Sequence, residues 1–398
     1  MATTDRISAI GVDKMGYRPA LDGLRSVAIG LVLLEHTGLE LFDGGNSGVI
    51  VFFVLSGFLI TKLMLEEWGK TNGLNIKAFY GRRTVRIMPA PLVMVAVVFA
   101  FSWHIMPDEA DRRYLWFELA LVVLYIYNLR PILFGDGGWF GAERSLDTTT
   151  YMAHTWSLAV EEHFYLVWPW LLRRLRLPEL NPEKVVKGLL GFLAAVTIFR
   201  FIFDRFVDPD IVSISLFTFD GFALGASMAF MFHYGLWQEL RNWLRLEFMA
   251  IGALLLLTVD LLLRDQRYDG VTYSYYYITY CAVASAVLIA YLYDNTTGPV
   301  AKLMAWAPVV YIGKLSYSLY LWHVPVQVYI SKDRFPEWST FQIIVVEQVL
   351  TFAAVLASYY GIEMPAKRLR KYFVVSDKKP ESGSGPEAGP QNLVTGQG

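Results

Sequence analysis

Arg25 and His36 are polar residues in a stretch that is otherwise apolar enough to enter a membrane, LDGLRSVAIGLVLLEHTG. Eleven residues at 100° per residue return to within about 20° of the starting direction, so both side chains share one helix face. They are roughly 16 Å apart along the helix axis. Asp22 lies on the same face, three residues before Arg25. A long, thin ligand held at Arg25 would therefore reach His36.

Two interpretations of this pair follow from the cost of placing a charged group in lipid. In the first, Arg25 binds an anionic ligand and His36 does chemistry on it. In the second, Arg25 reaches lipid phosphate at the membrane surface and His36 forms a hydrogen bond with a neighbouring helix. The pair alone leaves both open.

A second polar group is FYGRRTVRIMP, in which Arg83 and Arg86 are three residues apart and share a helix face, with Arg82 alongside. Guanidinium groups bind phosphate through two parallel hydrogen bonds, so paired arginines at a helix start favour a phosphate site. The alternative is an ordinary cluster of cytoplasmic positive charge beside a membrane span.

Two further stretches, HTWSLAVEEHFYLVWP and SYSLYLWHVPV, carry titratable groups among aromatic residues. His154 and Glu161 are seven residues apart and share a face, and Glu161 lies deep in an apolar helix, which favours a functional carboxylate. The alternative is a capped, acidic outer helix end. His323 precedes Pro325, and here a structural histidine in an interfacial aromatic belt is an equal alternative.

The composition is that of an integral membrane protein. Of 398 residues, 55% are hydrophobic and 18% are charged, against about 25% charged in soluble domains. The net charge of −1 gives no reason to expect a nucleic-acid partner. Cys281 is the single cysteine, which excludes a disulfide within the chain, and no metal-ligand spacing or glycine-rich nucleotide motif is present. No metal site is predicted.

Apolar stretches of about 20 residues, the length that spans a bilayer, predict an all-α polytopic fold with about ten transmembrane helices. The predicted spans are 21–40, 47–65, 87–105, 154–172, 186–206, 212–233, 245–263, 273–293, 307–330 and 340–362. A shorter apolar run covers 114–129. These spans form one membrane domain over residues 17–371, between a cytoplasmic segment 1–16 and a tail 376–398 whose composition predicts disorder.

Four basic segments set the orientation, because lysine and arginine concentrate on the cytoplasmic side. They precede the first span, follow the second and the 154–172 span, and follow the last. Both termini are then cytoplasmic, and the chain must cross an even number of times between Arg86 and Arg173. Three candidates lie in that interval, so the short 114–129 run is predicted to be re-entrant or partial. The long loop 130–153 is then outside.

Taken in order over residues 17–371, these stretches resemble the membrane-bound acyltransferase family 3. The family's opening, with its arginine and histidine eleven residues apart, resembles YRPALDGLRSVAIGLVLLEH, and its second span resembles GVIVFFVLSGFLIT. FYGRRTVRIMPA, HTWSLAVEEHFYLVWP and SYSLYLWHVP are similar to the segments that follow. Two positions depart from the common pattern: His163 stands where glutamine is expected, and Glu35 where an apolar or aromatic residue is usual.

The resemblance implies transfer of an acyl group from acyl-coenzyme A to a hydroxyl. The group is often acetyl, and succinyl or a longer chain is the alternative. Many members carry a fused SGNH hydrolase-like domain, and this chain is expected to be a stand-alone member without one. No permanently bound cofactor is expected, since acyl-CoA is a co-substrate. The expected location is the bacterial cytoplasmic membrane; the oligomeric state is open.

The same resemblance assigns roles to individual residues. Arg25, Arg83 and Arg86 are expected to bind the nucleotide phosphates of acyl-CoA. His36 is expected to act as general base on the acceptor hydroxyl, or to carry the acyl group as an acyl-imidazole. Glu161 would orient the histidine or stabilise its charged form. Asp22, His154 and His323 are candidates for substrate binding.

The acceptor stays open at this point. A hydroxyl of a cell-envelope carbohydrate or glycolipid is the first expectation, because the chain resides in a membrane, and a macrolide or other secondary metabolite is the alternative. A proton-coupled transporter is the rival class, since intramembrane histidine, arginine and glutamate also suit proton relays. The lack of an inverted repeat in the sequence argues against it.

Overall fold

The structure is a computed structural model, and it describes residues 15–37, 39, 42, 45–130, 133, 151–203, 215–263 and 271–373. All regular secondary structure in these ranges is α-, 3-10 or π-helical, and no strand occurs in them. This agrees with the predicted all-α fold. The segment 1–14, nearly all of the loop 130–153 and the tail 376–398 lie outside the described residues, and so do the predictions made for them.

The described α-helices, in chain order, are α1 (Pro19–Glu35), α2 (Ser47–Thr71), α3 (Ile76–Ile87), α4 (Pro89–Ile105), α5 (Glu109–Val123), α6 (Thr155–Arg174), α7 (Pro182–Phe203), α8 (Ser215–His233), α9 (Gln238–Leu244), α10 (Glu247–Leu263), α11 (Val271–Asp294), α12 (Pro299–Met304), α13 (Ala307–Tyr329), α14 (Thr340–Ser358) and α15 (Met364–Arg368). Three 3-10 turns cover Tyr127–Leu129, Leu177–Glu179 and Leu369–Phe373, and one π-helical turn covers Tyr359–Glu363.

Within the described part of the chain, five helical stretches are long and apolar enough to cross a membrane. They are Asn46–Thr71, Ile76–Ile105, Pro182–Ile202, Tyr277–Asp294 and Thr340–Phe373. The molecule is therefore a helical membrane protein. The total of ten spans and the cytoplasmic position of both termini remain predictions.

The first helix is shorter than its predicted span of 21–40. α1 ends at Glu35, and His36 is the residue that caps it. The backbone N–H of His36 donates to the carbonyl oxygen of Val32 at 3.2 Å, and its ring nitrogen Nδ1 lies 2.8 Å from the same oxygen. Such side-chain bonds to the backbone compete with further helical turns. His36 thus lies at the end of the helix and not in its body.

The short apolar run predicted at 114–129 belongs to α5, which begins earlier and ends earlier than expected. Asp108 caps its start by accepting from the backbone N–H groups of Ala110 and Asp111 at 2.8 and 3.1 Å. Fifteen residues rise about 22 Å, which is less than the roughly 30 Å of a bilayer core. Its length suits a partial span, and whether it crosses stays a prediction.

α2 is the central helix of the fold. Of its most apolar stretch, 78% is buried, against 61% or less in the other four candidate spans. Glycines let it pack closely on α8, because a Cβ at Gly57 would collide with the backbone of Phe222 and one at Gly225 with the carbonyl of Val54. This contact fixes the position of the α2 turn that carries Ser56, next to Gly57.

A buried ion pair joins α7 to α8. The guanidinium of Arg200 donates to the carboxylate of Asp220, and neither side chain is more than 2% exposed. Arg200 also donates to Thr279 Oγ1 of α11 at 3.2 Å. The guanidinium of Arg200 therefore links α7, α8 and α11 inside the fold. The sequence pattern did not indicate this contact.

Candidate active site

A cavity of about 380 Å³ lies between α1, α2, α3, α6 and α13, and we call it the arginine cavity. Its lining includes all three arginines that the sequence predicts to bind phosphate, Arg25, Arg83 and Arg86. Asp22 and Glu161 line it as well. Five of the eight predicted site residues thus meet in one place, although they come from three separate helices.

Arg25 is held by a contact between α1 and α13. Its Nε donates to Ser316 Oγ at 3.2 Å, which leaves the terminal nitrogens of the guanidinium available to the cavity. The two helices approach closely at this point, since a Cβ at Gly313 would collide with the carbonyl of Asp22. The Asp22 carboxylate accepts from the hydroxyl of Tyr17 at 3.0 Å. Asp22 therefore has a structural partner at the cavity mouth.

Arg83 and Arg86 project from α3, which begins after Asn75, whose side chain accepts from the backbone N–H of Ala78 at 3.0 Å. The three-residue spacing puts both residues on one face of α3, and both line the arginine cavity. The guanidinium of Arg83 lies over the ring of Tyr165, with its central carbon 3.4 Å from the ring centroid. An aromatic face orients a guanidinium without occupying its hydrogen-bond donors.

Glu161 accepts hydrogen bonds from the hydroxyl groups of Ser56 and Tyr165. Ser157, Glu161 and Tyr165 are four residues apart in turn, so they share one face of α6, and His154 caps the start of this helix three residues before Ser157. Through Tyr165, Glu161 positions the aromatic ring under Arg83. Glu161 makes no contact with His36 in the structure. No contact therefore supports the hypothesis that Glu161 orients this histidine.

His36 lies beyond the wall of the arginine cavity and is partly exposed, with 31% of its side chain accessible. The carbonyl oxygen of Val32 only accepts, so in the neutral ring Nδ1 donates and carries the proton. The lone pair is then on Nε2, which is the form that a general base requires. Glu35 Oε2 lies 4.0 Å from Nδ1, and Oε1 of the same carboxylate accepts from Asn46 at 3.0 Å.

Three of the predicted histidines form one cluster, although they come from α1, the start of α6 and α13. The ring centroids of His36 and His323 are 4.9 Å apart, and those of His323 and His154 are 5.2 Å apart. His323 Nδ1 lies 3.1 Å from the carbonyl of Leu319, and His154 Nε2 lies 3.2 Å from that of Leu321. We call these three residues the histidine cluster.

The histidine cluster contains two buried lone pairs. The carbonyl contacts assign the protons of the neutral rings to His323 Nδ1 and His154 Nε2. His323 Nε2 and His154 Nδ1 are buried and have no hydrogen-bond partner among the described residues. Two acceptors close together favour a hydroxyl or another donor between them, because an unsatisfied buried acceptor is costly.

Tyr320 connects the arginine cavity to the histidine cluster. Tyr320 lines the cavity, and its hydroxyl donates to the carbonyl of His154 at 2.5 Å and lies 2.5 Å from Ser157 Oγ. Its ring centroid is 5.4 Å from that of His154 and 5.6 Å from that of His323. Sequence reasoning gave no chemical role to Tyr320 or Ser157. The available signal was that both lie inside stretches already singled out for other residues.

Within the described residues, no group of histidine, cysteine, aspartate and glutamate side chains is arranged to hold a metal ion. The fold and these contacts define a helical membrane protein with a basic cavity that ends against a hydroxyl pair and a histidine cluster. A family model described as an acyltransferase domain matches residues 18–362. The chain therefore belongs to the acyltransferase 3 family.

Several curated relatives of the chain are O-acetyltransferases. The O-acetyltransferase OatA of Staphylococcus aureus strain NCTC 8325 is 28% identical over 367 residues, which cover 88% of this chain and 57% of that protein. OatA of strain COL matches with the same values. The chain thus spans little more than half the length of these relatives. No solved structure matches the chain significantly.

Proposed function

We propose that this protein is a membrane O-acyltransferase that moves an acyl group, in the first place acetyl, from acyl-CoA to a hydroxyl of a cell-envelope carbohydrate or glycolipid. The observation that carries the proposal is the arrangement of Arg25, Arg83 and Arg86 around one cavity in a chain of the acyltransferase 3 family. The names of the curated relatives support oxygen as the acceptor atom and acetyl as the group. The bacterial cytoplasmic membrane is the proposed location.

In this proposal, the arginine cavity holds the donor. Guanidinium groups form paired, charge-assisted hydrogen bonds with phosphate oxygens, and Arg83 presents its donors from a fixed position over Tyr165. The thioester end then points toward the Ser157 and Tyr320 hydroxyls at the other part of the lining. Those two hydroxyls separate the donor from the histidine cluster.

His36 supplies the base. Its Nε2 lone pair takes the proton of the acceptor hydroxyl while the hydroxyl oxygen attacks the thioester carbon. The carbon–sulfur bond breaks, the acyl ester forms, and the CoA thiolate takes the proton from His36. In the second form of the proposal, Nε2 attacks the thioester itself and the acyl-imidazole passes the group to the acceptor. Both forms need the thioester to come within reach of His36, on the far side of Tyr320.

Glu161 takes a different role from the one that the sequence suggested. It holds Ser56 and Tyr165, and Tyr165 lies under Arg83. Its proposed role is to position the phosphate-binding arginine rather than to orient His36. Asp22, His154 and His323 stay candidates for substrate contact, the first at the cavity mouth and the others in the histidine cluster.

The test uses inverted membrane vesicles that contain the full chain, supplied with acetyl-CoA labelled in the acetyl group. Label that appears in carbohydrate or glycolipid of the vesicles, identified by mass spectrometry as an ester, supports the proposal. Vesicles with His36→Ala provide the matched control and should stay unlabelled. Acetyl-CoA that neither binds nor loses its acetyl group in any membrane fraction would overturn it.

A further inference from the structure

A second cavity, of about 350 Å³, adjoins the arginine cavity. Arg83 and Arg86 line both cavities, together with Ile60 and Leu63 of α2, so these four residues form a shared wall. The second cavity also includes Phe79, Arg82 and Arg370. The two cavities are therefore neighbouring compartments joined at the paired arginines.

The chain after α14 reaches these compartments by folding back over α3. We call residues 364–373, which comprise α15 and the following 3-10 turn, the C-terminal segment. Arg82 Nη1 donates to the carbonyl of Phe373 at 3.0 Å. The Phe373 ring lies directly on Gly81, where any Cβ would collide with it. A glycine at 81 is therefore required for this close contact.

Docking of the C-terminal segment places two cations beside the predicted phosphate site. Lys367 lines the arginine cavity, where its Nζ lies 3.2 Å from Glu363 Oε2, and Arg370 lines the second cavity. Both positions follow residue 362, the last residue that the family model matches. From the sequence they belong to an ordinary basic segment after the last span.

Positive charge exceeds negative charge in the second cavity. Its charged lining residues are Lys70, Arg82, Arg83, Arg86 and Arg370 on one side and Glu66 and Glu67 on the other. Glu67 is already paired with Arg82 at 2.9 Å, and Glu66 accepts from the backbone N–H of Met15 at 2.6 Å. The buried Nε of Arg83 has no hydrogen-bond partner among the described residues. Clustered like charges favour an anionic ligand with several phosphates.

We propose that acyl-CoA lies across both cavities, with its diphosphate at the shared wall of Arg83 and Arg86 and its 3′-phosphate at Arg370 in the second cavity. This inference rests on the proposed function. The acyl end belongs in the arginine cavity, because that cavity reaches Ser157 and Tyr320. The nucleotide end then extends into the other compartment, and the 3′-phosphate, which is the phosphate farthest from the thioester, meets Arg370, which lines the second cavity and not the arginine cavity.

The test compares acetyl-CoA with acetyl-dephospho-CoA, which differs only by the missing 3′-phosphate. Dissociation constants are measured on the full chain in lipid nanodiscs for wild type, Arg370→Gln and Arg368→Gln. Arg368 is exposed on α15 and lines neither cavity, so it is the matched control. Wild type and Arg368→Gln should bind acetyl-CoA about tenfold more tightly than the dephospho donor, the effect of one charge-assisted hydrogen bond.

In Arg370→Gln that preference should vanish, through a loss of about tenfold for acetyl-CoA and less than about twofold for the dephospho donor. Equal losses for both donors would place Arg370 in folding or in contact with lipid phosphate, and would overturn the inference. So would a wild type that binds both donors equally well. A wild type that binds neither donor removes the proposed function, and the inference with it.

Discussion

Tyr320 and His323 lie one turn apart on α13, and each belongs to a different part of the site. Tyr320 lines the arginine cavity, whereas the ring of His323 lies 4.9 Å from that of His36. Their own ring centroids are 5.6 Å apart. A single helical turn thus separates a residue of the proposed donor site from a residue in ring contact with the proposed base, His36. The side chain of Tyr320 contacts both the arginine cavity and the histidine cluster.

Replacing Tyr320 by phenylalanine should slow acyl transfer without weakening donor binding. The change removes the hydroxyl that holds Ser157 and the carbonyl of His154, so the histidine cluster loses its link to the cavity. We expect kcat to fall about tenfold, with the Kd of acetyl-CoA unchanged within about twofold. Tyr360→Phe is the control, since that tyrosine is exposed and lines neither cavity. A Tyr320→Phe enzyme with normal kcat would show that the hydroxyl is dispensable.

Replacing His36 by alanine should abolish transfer while the protein still inserts and binds acetyl-CoA. Loss of a general base lowers the rate by about 10²–10⁴-fold, and loss of an acyl carrier lowers it at least as much. The measurement is the initial rate of ester formation in membranes with matched protein amounts. His104→Ala serves as control, because that histidine is exposed and contacts Tyr329 at 3.1 Å, away from the cluster. Near-normal acylation by His36→Ala would end the proposed mechanism.

Replacing Arg83 or Arg86 by glutamine should raise the KM for acetyl-CoA by about tenfold and leave the KM for the acceptor unchanged. The reason is that both guanidinium groups line the proposed donor site and lie on the same helix face. Arg113→Gln is a suitable control, since the Arg113 side chain is 69% exposed and pairs with Glu109 in its own helix. If the arginine variants weakened acceptor binding instead, the phosphate assignment would be wrong.

Replacing Asp220 by alanine should lower the stability of the fold rather than act directly on catalysis. It would leave the buried guanidinium of Arg200 without its carboxylate, a change that typically costs about 3–5 kcal/mol. Thermal unfolding of the detergent-solubilised protein measures the effect. The double variant Arg200→Met with Asp220→Leu removes both charges and should recover most of the loss. An Asp220→Ala protein with unchanged unfolding temperature would show that the pair does not support the fold.

Much of the arginine cavity was predictable from the sequence, because helical periodicity and a recognisable order of stretches are local information. The three-residue spacing of Arg83 and Arg86 fixes their common face once a helix is assumed. The family resemblance added Arg25 and Glu161 to the predicted site. The all-α membrane fold followed from the length and composition of the apolar runs.

The histidine cluster could not be predicted from the sequence, because it depends on how three distant helices pack. Nothing in the spacing of His36, His154 and His323 says that their rings meet, and only the tertiary contacts of α1, α6 and α13 bring them together. The end of α1 at Glu35 was missed for a related reason. Side-chain contacts of the capping residue stop the helix, and hydropathy does not register them.

The contact between Phe373 and Gly81 has a thermodynamic consequence. If Arg370 binds the donor only when the C-terminal segment is docked, then donor binding and docking are reciprocally linked, and each must strengthen the other by the same factor. Acetyl-CoA should therefore slow trypsin cleavage after Arg370 and Lys371, whereas acetyl-dephospho-CoA should protect less. Gly81→Leu, which obstructs the seat of the Phe373 ring, should speed cleavage and weaken acetyl-CoA binding to a matching degree. The exposure of the last turn of the described chain to protease would then depend on whether the donor is bound.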